Sequence, residues 1–428
     1  MRPRSFFLAL SLLVAFAINA AITLPWDAPK PDTLPAYLDG SMMPYDFAAC
    51  DPAPQWPDSL RPVFVAYVAR HGARYLSGPK KIDELEKLLD DRAKSGKMTR
   101  EAKAFYKYIK GVRTHSEGNW GALSPEGVRE EKELARQMTG LFPALRKGVS
   151  HVDTKSTFVP RAMMTMYQFN HELMFLNDSL EFCAASGRQF SPLLYFFETD
   201  TAYASWRKSG NWEPVYNEFL DRHVPIEPAQ RLLGDNFTNN KRRLRHLTMQ
   251  IYGVIQANRA SGLPTPTTAF MTVDEYRECW LASNLLHYLR NNISPLNSSA
   301  GAASAPLLLT MIDSADKACA PGYKGPAMQG WFGHAETLLP LFSLMRLPGC
   351  FALPLNWDNL ADEWKLQEIT PLGANLTLII LRSAGGRNYA AVRLNGRTVA
   401  PIQGAPSIIP WKQLAAFWRA LAKESKNR

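Results

Sequence analysis

The chain has 428 residues, of which 46% are hydrophobic and 21% charged, with 11 Trp; this excludes a disordered polyelectrolyte and allows a large core. Its 49 Lys and Arg against 39 Asp and Glu give a net charge of +10, which points to an anionic partner: nucleic acid, a membrane surface or a polyanionic small molecule. Five Cys with no Cys-x-x-Cys spacing exclude a disulfide scaffold and the common zinc modules.

Residues 1–20 carry Arg2 and Arg4, an apolar run from Phe6 to Ile18, and Ala20 at a cleavage position. This is the pattern of a secretory signal peptide. The run is short for a bilayer span, and no other stretch is long and apolar enough to make one. Cleavage leaves 47 basic against 39 acidic residues, or +8. The expected location is extracytoplasmic, periplasmic or secreted. There Cys50, Cys183, Cys279, Cys319 and Cys350 could pair, with at least one left over. Asn-x-Ser/Thr sequons occur at Asn177, Asn236, Asn292, Asn297 and Asn375.

Residues 21–60 are Pro-rich and read as an extended segment wrapping the body. Val63–Ala69 is a short run of β-branched and aromatic residues, suited to a strand buried on both faces of a parallel sheet. It stops at Arg70-His71-Gly72. Residues 81–110 are helical in period, with Ile82, Leu85, Leu88 and Leu89 on one face. Ser124-Pro125-Glu126 opens a second helix, with Ser at the N-cap and Pro in the first turn. Residues 151–159 read as a strand. A helix follows from Ala162, with Met163, Met166, Tyr167, Phe169 and Leu173 available for the core. The chain from 165 to 300 is mainly helical. Ala327–Phe332 is a short strand candidate ending at Gly333-His334. Leu376–Leu381 and Tyr389–Leu394, turned at Gly385-Gly386, form an antiparallel hairpin, and Trp411–Leu421 is a closing helix.

Strands at both ends and helices between them predict an α/β domain built from 21–164 and 301–428, with a helical cap, 165–300, inserted. Ligands of open α/β sheets bind at the carboxyl ends of strands. Arg70-His71-Gly72-Ala73-Arg74 and His334-Ala335-Glu336 both stand at such ends. In the first, a helical turn after the strand would put Arg70, His71 and Arg74 on one side. Guanidinium groups match phosphate oxygens, Gly72 permits a tight turn, and a His between two Arg stays neutral. A neutral imidazole can attack phosphorus.

The stretch Arg70–Arg74 resembles the signature of the histidine acid phosphatases, the clade with phytases and multiple inositol polyphosphate phosphatases. Ser156–Arg161 resembles the segment that supplies a further Arg, and Leu123–Gly127 a helix opening common in the family. His334-Ala335-Glu336 is similar to the triplet of the multiple inositol polyphosphate phosphatase branch, where other members carry His-Asp. The resemblance implies a phosphoglycerate-mutase-like α/β domain with an inserted all-helical cap. It implies His71 as nucleophile, Arg70, Arg74, Arg161 and His334 as the phosphate clamp, and Glu336 as proton donor. It needs no metal or other cofactor, since Arg and His supply the positive charge. Two positions depart from the family pattern: Leu76, where Pro is frequent, and Gly396, where an acid is frequent.

Extended geometry at 334–336 would aim His334 and Glu336 at the same side, with Glu336 protonated at mildly acid pH. Lys80 and Lys81 reach a second phosphate or are solvated loop charges. Lys241–His246 is either an electrostatic rim over the pocket or a solvated helix face. His115, His151, His171, His223 and His287 receive no role. The expected protein is a monomeric phosphomonoesterase on phytate and related inositol polyphosphates, with no nucleic-acid partner. A general acid phosphatase and a non-enzymatic polyanion binder are the alternatives.

Overall fold

The computed structural model describes residues 32–234 and 237–426. The signal-peptide expectation, residues 1–20, lies outside them, as does Asn236. The main elements are β1 (Leu60–Arg70), α1 (Lys80–Lys94), α2 (Arg100–Ser116), α3 (Pro125–Leu141), β2 (Ser150–Ser156), α4 (Pro160–Leu176) and β3 (Leu180–Ser186). Then come α5 (Thr201–Ser209), α6 (Trp212–His223), α7 (Glu227–Leu233), α8 (Lys241–Ile255), α9 (Val273–Asn291) and α10 (Ser299–Cys319). The chain closes with β4 (Met328–Gly333), α11 (Ala335–Leu344), β5 (Asn375–Ser383), β6 (Asn388–Leu394), β7 (Arg397–Val399), β8 (Ile408–Pro410) and α12 (Trp411–Lys426).

One mixed sheet runs β3-β2-β4-β1-β5-β6-β7, with β8 also on β6. The pairs β3/β2, β2/β4 and β4/β1 are parallel; β1/β5 and β5/β6 are antiparallel. β1 is buried on both faces, as its apolar run requires. Val65, Tyr67 and Ala69 enter a core with Leu134 and Met138 of α3 and Met166, Phe169 and Leu173 of α4. Phe64, Ala66 and Val68 face the opposite core, with Met311 of α10, Phe342 of α11 and Trp418 of α12. That second core continues into the helical region through Leu247 and Ile251 of α8 and Leu285 and Leu289 of α9.

The expected cap boundary at residue 165 moves. Residues 165–176 complete α4, and 180–186 pair with β2 at the sheet edge. This strand is largely exposed, so it lacks the apolar alternation that would announce it. Tyr167 also leaves the expected core and is 46% exposed, since only one face of α4 meets the sheet. Residues 36–56 do wrap the body: Tyr45 N–H donates to Glu130 Oε1 (2.8 Å), and Trp56 Nε1–H to the Leu141 carbonyl (3.2 Å).

None of the five Cys is paired, and Cys279 and Cys350 are buried as small apolar residues. Asn177, Asn292, Asn297 and Asn375 are buried and use their amides internally, so these four sequons offer no accessible acceptor. Among the described residues no helix is long and apolar enough to cross a membrane.

Candidate active site

The parallel register explains why distant motifs meet. Arg70 pairs with Gly333 across β1/β4, and Ser156 with Phe332 across β2/β4. Three strands therefore end side by side and deliver His71, Thr157 and His334 to one place. Backbone bonds lock the ends: His71 N–H donates to the Gly333 carbonyl (3.1 Å), and Thr157 N–H to that of Phe332 (3.2 Å).

Residues 71–77 do not form the expected helical turn. They are an irregular loop clasped by the segment before α3. Tyr75 N–H donates to Ala122 O (3.1 Å), Gly121 N–H to Leu76 O (2.6 Å), and Ser124 N–H to Ala73 O (2.9 Å). These bonds tie the loop, Leu76 included, to the segment before α3. Gly72 has no positive φ, so a turn is not what requires it. A Cβ there would stand 2.9 Å from Glu131 Oε1 and 3.1 Å from Gly127 O; one on Gly127 would stand 2.2 Å from Ala73 O. The two glycines let the loop lie directly on the start of α3. Glu130 of α3 accepts from Ala73 N–H (2.6 Å), and Thr165 Oγ1 of α4 accepts from Gly72 N–H (3.1 Å).

His71 is buried, and its Nδ1 lies 3.0 Å from the Gly72 carbonyl. A carbonyl only accepts, so Nδ1 carries the proton and Nε2 keeps its lone pair. Burial, then Arg161, Arg70, Arg74 and His334, hold its pKa well below the usual value. The imidazole is neutral, as expected, with burial the larger cause. His334 lies edge-on to it, ring centroids 5.6 Å apart, and its Nε2 is 3.0 Å from Thr157 Oγ1. Burial and the same arginines lower the His334 pKa to about 3.

Arg70 Nη1–H donates to Ser41 O (2.7 Å) and Thr370 O (2.6 Å), so the wrapping segment aims this guanidinium. Arg74 Nη1–H donates to Tyr75 O (2.8 Å). Arg161 stands in the first turn of α4. Burial and mutual repulsion lower Arg70 to about 10 and Arg74 to about 9, which leaves both charged at neutral and acid pH. The buried Nε of Arg70, Arg74 and Arg161 have no hydrogen-bond partner among the described residues. Buried donors are nearly always paired, and these three belong to arginines close enough to act on one another and on His71, so an anion bound there would meet concentrated positive charge.

Glu336 departs from its expected setting. Only His334 is extended; Glu336 lies in the first turn of α11. Its side chain is 35% exposed on the site. Surrounding protein pushes its pKa up, but Arg207, His334, its own backbone N–H and Arg70 together bring it down to about 2. Without an anion present it is therefore ionised at mildly acid pH, not protonated.

Lys81 is accessible, yet crowding by protein and Arg74 lower its pKa, and its Nζ stands 2.7 Å from where a Gly253 Cβ would be. Lys80 and Lys81 are both exposed, and Lys81 lies close enough to Arg74 to feel its charge. The basic run of α8 is partly neutralised, with Lys241 and Arg242 exposed. Arg243 pairs with Glu84 (2.5 Å) and Arg245 with Asp221 (2.8 Å). Sequence reasoning missed Arg207, which approaches Glu336 from α5, and gave no role to His287. The latter is half-buried near the site, and the surrounding protein lowers its pKa to about 4.

Fold and site define a histidine-type phosphatase. The model of the histidine phosphatase superfamily (branch 2) matches residues 63–395, and the chain belongs to that family. Among solved structures, a Bifidobacterium longum multiple inositol polyphosphate phosphatase, in complex with inositol hexasulfate, is 15% identical with a TM-score of 0.74. That match covers 91% of this chain and 98% of the other. The phytase from D. castellii is 16% identical with a TM-score of 0.62, covering 90% and 85%. A Hafnia alvei phytase is 12% identical with a TM-score of 0.52, covering 87% and 99%. No curated protein matches the chain.

Proposed function

We propose that the protein is an extracytoplasmic phosphomonoesterase acting on phytate and other inositol polyphosphates through a covalent phosphohistidine. The observation that carries this reading is a neutral His71, its Nδ1 on the Gly72 carbonyl, that feels the charge of three arginines whose buried Nε–H groups have no partner among the described residues. The guanidiniums neutralise the phosphoryl oxygens. His71 Nε2 attacks phosphorus in line, the N–P bond forms, and the P–O bond to the inositol oxygen breaks. Glu336 gives its proton to the departing alkoxide. Water then attacks the phosphohistidine, Glu336 takes the water's proton, and the N–P bond breaks to release phosphate. The donor acquires its proton when a phosphate anion enters, because that negative charge offsets the cations holding Glu336 ionised.

A polyanion is favoured over a simple ester by the further positive charge of Lys81, close enough to Arg74 to feel it. The similarity to phosphatases named for inositol polyphosphates and to phytases supports the same class. Residues 1–20 support export; a mature N-terminus at Ala21, read by mass spectrometry, tests it. The decisive assay is phosphate release from phytate by the mature chain at mildly acid pH, beside simple monoesters. No release by folded protein overturns the reading; equal efficiency on all esters makes it a general acid phosphatase. Radiolabelled phosphate should be trapped on the chain and lost in His71→Ala.

A further inference from the structure

Arg207 is a buried cation beside Glu336 that lies in none of the phosphate-binding motifs. Its side chain is 8% exposed. It projects from α5, in the helical region, and every part of it is fixed. Nε–H donates to Asn291 Oδ1 at the end of α9 (3.1 Å), and Nη1–H to the Phe197 carbonyl (3.1 Å). Its plane lies over the Phe197 ring, 5.1 Å from the centroid. What remains, Nη2, reaches Glu336 Oε1 at 3.5 Å. A guanidinium so restrained presents a fixed charge and a fixed N–H direction. Glu336 is one-third exposed in the first turn of α11, and its carboxylate is also bonded by its own backbone N–H.

We infer that Arg207 is a positioning residue for Glu336: it holds the proton donor's carboxyl against the phosphate site and keeps a fixed positive charge beside it. This rests on the reading of Glu336 as donor. The helical region then contributes directly to the chemistry of the sheet end.

Other charges also act on Glu336. Arg70, Arg74 and His334 face it from the strand ends, and Arg161 from α4. His287 and Arg290 feel it from α9, and Tyr195 and Tyr203 from the segments beside Arg207. Arg70, Arg74 and Arg161 also converge on the anion site, and a bound phosphate opposes their effect on the donor. Arg207 is already committed to Phe197, Asn291 and Glu336, so its pull on the donor persists through the cycle. Glu198, at 3.4 Å from Nη1, tempers its charge.

The test is the pH dependence of kcat on phytate for Arg207→Met, Arg207→Lys and Asn291→Leu. A donor must be protonated, so activity falls as pH rises through its pKa. Removing a cation raises that pKa. In Arg207→Met the alkaline limb should move up by about one unit, within the range for an opposite charge at this distance. Its kcat at the optimum should fall on the order of tenfold as the carboxyl loses its orientation. Arg207→Lys keeps the charge and should restore the limb but not kcat; Asn291→Leu should also lower kcat with the limb in place.

A wild-type limb and kcat in folded Arg207→Met overturn the inference. So does a rise in KM alone, which would make Arg207 a substrate ligand. If Arg207→Met fails to fold, wild-type kcat in both Arg207→Lys and Asn291→Leu overturns it. Glu336→Gln separates the two readings. If that variant turns over phytate at the wild-type rate, the donor assignment itself fails. If it is slow while the Arg207 variants are normal, only this inference fails.

Discussion

His71, Arg70 and Arg74 lie within five residues, and their chemistry is legible in the order of the letters. What five residues do not reveal is protonation. The Gly72 carbonyl assigns the His71 tautomer, and burial outweighs the neighbouring arginines in keeping it neutral. Glu336→Gln removes the proposed proton donor but not its shape, and should slow turnover about 10²–10⁴-fold. The loss should be smallest for esters with good leaving groups, as steady-state rates across an ester series will show.

His334 yields a stability expectation. Its pKa is about 3 in the folded chain and about 6.5 when unfolded. The unfolded state thus binds an extra proton as pH falls from about 6.5 towards about 3, and folded stability drops across that window. His334→Gln lacks this titration. Wild type should therefore lose stability relative to the variant as pH is lowered, read as the difference in urea midpoints at pH 7 and pH 4. A constant difference would show that His334 titrates normally.

At the scale of elements, α3 serves the site more than its sequence suggests. Ser124 caps it, Oγ accepting from Gly127 N–H at 3.3 Å, as the pattern predicts. Its second role is as a bed for the catalytic loop, through Gly127 and Glu130. Gly127→Ala weighs two effects. Ala favours a helix by about 1 kcal/mol. The new Cβ, 2.2 Å from Ala73 O, cannot be accommodated without moving the loop or the helix; overpacking of this kind costs about 1–3 kcal/mol. The clash should win, lowering both the denaturation midpoint and kcat. A gain in stability with unchanged kcat would show that loop and helix are not in contact.

At the scale of the molecule, the core is shared. The cluster behind β1 runs without a break into α8 and α9, and Lys81 of α1 lies against Gly253 of α8. The helical region thus packs directly against the helix that carries Lys81. Lys81→Ala should raise KM for phytate several-fold, on the order of 1 kcal/mol, and leave KM for a simple monoester unchanged. Lys80→Ala, at an exposed position, should change neither. Equal effects of the two variants would place the second phosphate elsewhere.

The excess of positive charge that marked the sequence has a structural distribution. Arg70, Arg74, Arg161 and Lys81 are gathered at the strand ends, while Arg243 and Arg245 are neutralised by Glu84 and Asp221. The sequence by itself determined the α/β class, the hairpin, the helix start at Ser124 and the motif residues. Each is a local signal, written in periodicity or in a few adjacent side chains. Only the tertiary structure decided the edge strand β3, the clasped loop, the ionised Glu336 and the part played by Arg207. Arg207 sits among ordinary helical residues, and nothing nearby says that it is buried. Asn291, 84 residues on, and Glu336, 129 residues on, give it its environment. Burial and electric field depend on which strands end side by side, and parallel pairing joins segments that the chain keeps far apart.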